Sequence, residues 1–218
     1  KREQGGQEKK EILEMVRRRG VGSRSGHAHD VIGEWAFSEG LKVVRHCVNT
    51  SGIGYLKVLF GTDKVPAKDL PYVGLLKSVL GYVDTENYSY SELTSEIHLN
   101  SGGLGLSVTS YPNLNCSENF TGVFAADIRV LYEKLDFVFH TVTEILTRSK
   151  LDNEKRLGEI LDEVRSRSRM RLDDSAHAAA VSRASPYFSP TSAFNEMVGG
   201  IGYYHFLEDV AKRYGSEP

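Results

Sequence analysis

Two pairs of strand-like segments, separated by helical segments, constrain the fold most. The first pair is LKVVRHCV and IGYLKVLF, joined by a turn at 49–52, and the second is LGLSVTSY (104–111) and FTGVFAADIRVLY (120–132), joined by a polar loop. Connections this short favour antiparallel pairing, because parallel strands need a crossover of about a dozen residues or more. We therefore expect an α+β fold with an antiparallel sheet of about four or more strands and helices packed on one face.

The segments between and after the strands have helical spacing. Asp69 and Pro71 predict the start of one helix, and Ser89 with Glu92 forms an S-x-x-E capping box that predicts the start of another. After the second strand pair we predict four helices. Apolar residues at helical spacing predict the first, over 131–148, and the others are a strongly charged helix over 151–172, an alanine-rich helix over 175–185 and a last helix over 193–214. The predicted order is β-β-α-α-β-β-α-α-α-α.

The first 40 residues differ from the rest of the 218-residue chain. They are polar, with one short helical stretch at 8–19 followed by a break rich in glycine and serine at 20–26. We expect 1–40 to be a partly helical linker or docking segment and 41–218 to form one α+β domain, because a chain of this length is sufficient for one sizeable core.

Composition argues against several classes of protein. The formal net charge is −2, so no overall field attracts nucleic acid or an anionic membrane, and no apolar run reaches the roughly 20 residues that span a bilayer. Cys47 and Cys116 are far apart, as expected for reduced thiols, and no apolar signal-peptide core opens the chain. We expect an intracellular protein with neither nucleic acid nor membrane as partner, in a bacterial cytoplasm or, as the alternative, an organelle matrix.

Four longer stretches carry a family resemblance. They are NTSGIGYLKVLFGTDKVPAKDLPYVGLLKSVL, YSELTSEIHLNSGGLGLSV, RSRMRLDDSAHAAAVSRA and EMVGGIGYYHFLEDV, within 41–214. These stretches resemble the insulinase/pitrilysin family of zinc metallopeptidases, and most closely its presequence-protease subgroup. Enzymes of this family are built from four similar α+β domains in two halves, and the first domain carries the zinc motif H-x-x-E-H.

The resemblance implies a non-catalytic domain of a larger endopeptidase. This chain is similar to the third domain, which opens the C-terminal half and forms part of the chamber that holds a peptide. No catalytic, cofactor-binding or metal-binding residue is then expected in this chain, and zinc belongs to the parent enzyme. The expected partners are the other domains of the same peptidase and its peptide substrate. The alternatives are a stand-alone protein-interaction module without a peptidase link and an independent hydrolase using His205 and Glu208.

One short motif imitates a zinc site. His205, Glu208 and Asp209 have the spacing of H-x-x-E-H with aspartate in the last position. Catalytic zinc takes three protein ligands. The resembling family has its third ligand many residues downstream of the motif, and only nine residues follow Asp209. We therefore interpret the motif as chance and expect His205 to help pack the last helix.

Two smaller clusters also have spacings seen in metal sites. His140 and Glu144 lie four residues apart on a predicted helix, but two ligands are insufficient, so we expect a partly solvated polar edge. His27, His29 and Asp30 form H-x-H-D, which would bind a transition metal weakly at most.

Charge and glycine patterns predict a charged helix surface and argue against a dinucleotide-binding site. Four arginines alternate with other residues between acidic neighbours, which predicts a salt-bridged helix exposed to solvent: Arg165, Arg167, Arg169 and Arg171. The glycines of 102–105 precede a strand, whereas a dinucleotide-binding fingerprint opens a helix. The glycines at 199, 200 and 202 interrupt a helical pattern, and close helix packing would explain them.

Overall fold

A three-stranded antiparallel sheet forms one outer layer of the described structure. The computed structural model describes residues 33–37, 41–45, 48–113 and 116–214. Strands β1 (Gly33–Phe37) and β2 (Leu41–Arg45) form a two-stranded antiparallel ribbon. Strands β3 (Ile53–Gly61), β4 (Leu104–Asn113) and β5 (Cys116–Leu131) form the main sheet in the order β3-β5-β4. The long central strand β5 therefore pairs with both neighbours.

Helices account for most of the remaining chain. Short 3₁₀ turns at Ala67–Asp69, Tyr132–Lys134 and Ser185–Tyr187 lie next to them. The helices are α1 (Leu70–Val79), α2 (Tyr90–Asn100), α3 (Leu135–Arg148), α4 (Glu154–Asp174), α5 (Ala176–Ala184), α6 (Pro190–Gly199) and α7 (Ile201–Tyr214).

The core lies between one face of the sheet and the helices. Ala126, Ile128 and Val130 alternate along β5 and are buried against Leu135 and Val138 of α3. Apolar residues recur at every second position on β5 and at helical spacing on α3. Each element therefore has one apolar side, and these two sides pack together. Helices α1, α2 and α6 pack on the same face of the sheet.

Helices α4 and α7 form a second helical layer. Ile160 of α4 packs against Val79 and Val83, at and just beyond the end of α1, and Leu161 packs with Tyr203 and Leu207 of α7. Within the described residues, the helices thus lie in two layers on one side of the sheet. Helix α5 has no buried side chain.

The α+β class and the one-sided helical packing are confirmed. The capping box is also confirmed: the Ser89 hydroxyl accepts from the Glu92 amide at 3.3 Å, and the Glu92 carboxylate accepts from the Ser89 amide at 2.9 Å. The expected four or more strands overstated the main sheet, which has three among the described residues. Strand β2 pairs with β1 and not with β3, which aligns all nine of its residues with β5.

Two boundaries differ from the sequence prediction. The β4–β5 hairpin continues through Asn113 and resumes at Cys116, so the predicted polar loop is largely strand. Strand β1 lies inside the segment that we interpreted as a linker, whereas the helix predicted at 8–19 falls outside the described residues.

The last predicted helix is two helices, divided at Gly200. The Glu196 carboxylate turns back and accepts a hydrogen bond from the Gly202 amide at 2.9 Å, and Arg183 lies 3.6 Å from the same oxygen. A side chain at Gly200 would overlap this carboxylate. Gly200 therefore makes room for the Glu196 carboxylate, which differs from the expectation that close helix packing explains this glycine.

Glu144 anchors α3 to the loop before α2. Its carboxylate is only 1% exposed and accepts hydrogen bonds from the backbone amide and side-chain amide of Asn87, at 2.9–3.0 Å. Arg148 lies 3.6 Å away. Burial alone would raise the pKa of Glu144, but the bonds from Asn87 and Thr85 and the charge of Arg148 lower it overall. The expectation of a solvated edge was therefore wrong for Glu144.

Gly74 allows α1 to contact α6 and α7 closely, and we predict that Gly74→Ala destabilises the domain. A Cβ atom there would lie 2.8 Å from the Val198 carbonyl oxygen and 2.9 Å from the Tyr203 ring. Alanine favours a helix over glycine by about 1 kcal/mol, so a net loss of about 1–3 kcal/mol in a urea unfolding experiment reports the clash.

Gly199→Ala is the matched control. Gly199 is also helical, and a Cβ atom there meets nothing within 4 Å. We expect Gly199→Ala to leave stability unchanged or raise it by up to about 1 kcal/mol. Equal effects of the two substitutions would contradict the close contact at Gly74.

We also predict that Glu144→Gln destabilises the domain in a pH-dependent way. The change weakens a buried hydrogen-bonded carboxylate, and we expect a loss of about 1–3 kcal/mol near neutral pH. The pKa of Glu144 is lowered from 4.5, so its contribution is complete above pH 4.5 and disappears as the pH falls through the folded-state value. The difference between wild type and variant should therefore shrink in acid.

Glu163→Gln provides the comparison for that titration. Glu163 is exposed on α4, where it pairs with Arg167. We expect its replacement to change stability by less than about 0.5 kcal/mol. The free energy of unfolding is compared between the wild type and Glu144→Gln from neutral pH to acid. If the difference stays constant, Glu144 is not a stabilising carboxylate.

Candidate functional site

The candidate site is the face of the main sheet opposite the helices. Strand register places Tyr55 of β3 opposite Arg129 of β5, and Lys57 opposite Asp127. Gly105 of β4 is opposite Asp127 on the other side. Because successive side chains on a strand alternate between faces, these residues share the face that the described helices leave uncovered.

An ion pair occupies the middle of this face. The Lys57 ammonium lies 2.9 Å from the Asp127 carboxylate, and the Ser107 hydroxyl donates to the same carboxylate at 3.4 Å. The hydrogen bond and charge of Asp127 raise the pKa of Lys57. Both side chains are nearly half exposed, so solvent screens the pair and it stabilises the fold little.

Gly102 and Gly103, just before β4, lie next to Arg129. The Gly102 amide donates to the Arg129 carbonyl at 2.8 Å, and the Arg129 amide donates to the Gly103 carbonyl at 3.2 Å. Gly103 has a φ of +117°, a conformation that favours glycine, and a Cβ atom there would lie 3.5 Å from the Arg129 guanidinium. The backbone conformation thus favours glycine at position 103, and the arginine side chain lies beside it.

These residues form a groove of about 540 Å³ at one end of the sheet. We call it the sheet groove, and its lining consists of Tyr55, Leu56, Lys57, Gly103, Leu104, Gly105, Asp127, Ile128 and Arg129. It offers an exposed aromatic ring, two cations and one carboxylate. That chemistry suits recognition of a ligand with both apolar and polar groups.

The zinc-like motif of His205, Glu208 and Asp209 lies elsewhere, on α7. His205 is exposed, which corrects our expectation that it packs the helix; Tyr203 and Leu207 are the buried residues. Glu208 accepts from the Tyr204 hydroxyl at 3.1 Å, and Asp209 lies 3.7 Å from the Lys212 ammonium. The two carboxylates thus have other partners, and this set does not fit a catalytic zinc ion with three protein ligands.

The other predicted metal-like clusters do not assemble either. Exposed His140 and buried Glu144 have different surroundings, since Glu144 is held by Asn87. In the part of the chain that the structure describes, no group of three or more histidine, cysteine, aspartate or glutamate side chains is arranged to hold a metal ion. The predicted H-x-H-D cluster at His27, His29 and Asp30, like the side chains of Cys47 and Cys116, lies outside the described residues.

The arginine run behaves as predicted. It lies on α4, where Arg165 is 3.2 Å from Asp162, Arg167 pairs with Glu163, and Arg169 is 3.8 Å from Asp173. Alternation with these acids neutralises the helix surface. No described helix is long and apolar enough to cross a membrane.

Sequence reasoning missed the four polar residues of the sheet groove: Tyr55, Lys57, Asp127 and Arg129. The signal was present, because Asp127 and Arg129 alternate with Ala126, Ile128 and Val130 in the second strand pair. Alternation of charged and apolar residues predicts a strand with one solvated face. It does not predict which partner residues lie across the sheet, and that depends on register.

The fold defines an α+β domain with two helical layers behind an antiparallel sheet. A model of the family of domains described as associated with peptidases of family M 16, subfamily C, matches residues 4–210. The chain therefore belongs to this peptidase-associated family.

Three relatives place this family assignment in context. The chain is 30% identical over 212 residues to Protein HypA of Clostridium perfringens, covering 97% of this chain and 22% of the relative. It is 25% identical to the mitochondrial presequence protease of Yarrowia lipolytica, and the match covers 75% of this chain and 17% of that protein. It is 23% identical to Presequence protease 1 of Arabidopsis thaliana, and that match covers 80% of this chain and 16% of the relative. The chain spans about a fifth of the length of these relatives.

We predict that this chain binds no stoichiometric zinc. The motif residues on α7 have other partners, and a third ligand is missing there. Metal analysis after dialysis against zinc should give the same low content for the wild type and for His205→Ala. One tightly held zinc ion per chain that disappears in His205→Ala would overturn this assignment.

Proposed function

We propose that this chain is a non-catalytic domain of a presequence-protease-like zinc metalloendopeptidase and forms part of the wall of its peptide-holding chamber. The observation that carries this proposal is the sheet groove, which lies on the face that the described helices leave uncovered. A peptide enclosed by several such domains would contact their sheets, because the helical layers lie behind.

The relatives support a peptidase context. Two of them are named presequence proteases, and the chain corresponds to about a fifth or less of each. The residues described in this chain do not fit a catalytic zinc ion. The zinc site and the water that it activates would therefore be supplied by other parts of a longer protein.

Positioning is the contribution that such a wall makes to catalysis. Holding a reactant in the right geometry can remove several kcal/mol from a barrier without any chemical step at the wall itself. The sheet groove can hold a peptide in this way, since Tyr55 provides apolar contact area and Lys57, Asp127 and Arg129 provide hydrogen-bonding groups.

A separate apolar surface would contact the other domains. Four large apolar side chains are exposed around α5, a helix that has no buried side chain: Met170, Val181, Tyr187 and Phe188. Tyr187 and Phe188 are 81% and 88% exposed. Apolar patches of this kind mark interaction surfaces on soluble domains. The same surface also favours the alternative function, a stand-alone protein-interaction module.

Domain boundaries and location belong to the same proposal. Residues 41–218 would form the peptidase-associated body, and 1–40 a linker or docking segment. The longer protein would be intracellular, in a bacterial cytoplasm or an organelle matrix, and the relatives named as mitochondrial or chloroplastic agree with the second setting.

The experiment is to fill the groove in the full-length protein with Gly105→Tyr. A Cβ atom at Gly105 meets nothing within 4 Å, and tyrosine suits a strand, so the fold should tolerate it. We expect kcat/KM for unstructured peptides to fall by about tenfold or more, because the peptide is displaced from its position. Cleavage assays with a panel of peptides measure this.

Ser95→Tyr is the control for that substitution. Ser95 is exposed on α2, so the variant also adds a surface tyrosine, but it leaves the sheet groove unchanged. We expect normal cleavage by Ser95→Tyr. Normal cleavage of every peptide by correctly folded Gly105→Tyr would exclude the chamber-wall role and leave the interaction module as the better explanation.

A further inference from the structure

We propose that the sheet groove is a carboxylate-binding subsite in which Arg129 binds an acidic side chain or the C-terminal carboxylate of the enclosed peptide. This inference rests on the proposed function, because it requires a peptide to reach this face of the sheet. It adds a substrate class, peptides that carry a carboxylate at the position facing Arg129.

Arg129 has no ion-pair partner among the residues that the structure describes, since no carboxylate there lies within 4 Å of its guanidinium. The nearest candidate along the strand is Asp127, which is engaged by Lys57 at 2.9 Å and by Ser107. The groove therefore has one pair of charges that compensate each other and one additional positive charge.

The glycines leave room for a ligand beside this charge. Gly103 has no side chain between the backbone and the guanidinium, and a Cβ atom at Gly105 meets nothing within 4 Å. Gly105 lies in β4 and Gly103 just before it, and β4 is an edge of the sheet in the described structure. A ligand can thus approach Arg129 from solvent without displacing a side chain of β4.

Tyr55 lies across from Arg129 and is 66% exposed. An aromatic ring beside a guanidinium offers apolar contact to the part of the peptide next to the carboxylate. A planar guanidinium binds a carboxylate through two parallel hydrogen bonds, which fixes orientation as well as position. The pair therefore suits one acidic residue within a peptide.

The surrounding charges favour a single carboxylate over a polyanion such as a nucleic acid. Lys57 and Asp127 compensate each other on this face, which leaves the single charge of Arg129 to bind one anionic group. The whole chain carries a net charge of −2, so it provides no field that attracts a polyanion.

The test uses the full-length protein and a set of unstructured peptides. Each peptide carries one glutamate, moved along an otherwise neutral sequence, and is compared with its glutamine version and with a C-terminal amide. For the wild type, we expect one glutamate position or the free C-terminus to lower KM. Dependence on the glutamate identifies a side-chain carboxylate, whereas dependence on the amide identifies the chain terminus, and both results support the subsite.

Arg129→Gln should abolish this preference. We expect kcat/KM for the preferred acidic peptide to fall about five- to tenfold, mainly through KM, with no change for its neutral version. Arg129→Lys should retain part of the preference, and Arg129→Glu should transfer it to a peptide with lysine at the same position. Arg169→Gln is the control, because Arg169 is exposed on α4, away from the groove.

The outcomes separate this inference from the proposed function. If folded Arg129→Gln affects acidic and neutral peptides equally, or neither, the carboxylate subsite is wrong. If Gly105→Tyr still slows cleavage in that case, the proposed chamber-wall function remains supported. Competition by a single-stranded oligonucleotide that is lost in Arg129→Gln, without any peptide preference, would assign the groove to nucleic acid and overturn the inference.

Discussion

The alternation of side chains along β5 is the constraint on which the rest of the domain depends. Ala126, Ile128 and Val130 are buried against α3, while Asp127 and Arg129 lie on the opposite face. One short segment therefore defines both the core and the sheet groove. A register shift of one residue would bury charges and expose the core, so packing of the helices also fixes the position of the groove residues.

Two buried carboxylates hold the helical layers behind that sheet. Glu144 accepts a hydrogen bond from the Asn87 amide, just before α2, and Glu196 accepts one from the Gly202 amide, in the first turn of α7. A buried carboxylate is tolerated when such partners replace water. Perturbed or buried acids often mark active sites, but these two lie away from the sheet groove, between helices.

Local signals in the sequence predicted the parts of the fold that local contacts determine. The Ser89–Glu92 capping box and helix α3 follow from residues within a few positions of each other. The break at Gly200 and the burial of Glu144 were missed, because they depend on Glu196 turning back and on Asn87, which is 57 residues from Glu144. The sheet groove was missed for the same reason. The pairing of Tyr55 with Arg129 depends on strand register, although the alternation around Asp127 and Arg129 was visible.

The groove chemistry favours recognition over reaction. Asp127 raises the pKa of Lys57, so this lysine stays protonated near neutral pH and is a poor nucleophile or base. Arg129 stays charged as well, since a guanidinium does not lose its proton in proteins. With Asp127 compensating one of these cations, one fixed positive charge faces solvent beside an aromatic ring and a backbone left open by glycine. Fixed charges of this kind can bind and orient a carboxylate, which is the positioning role that we propose for the sheet groove.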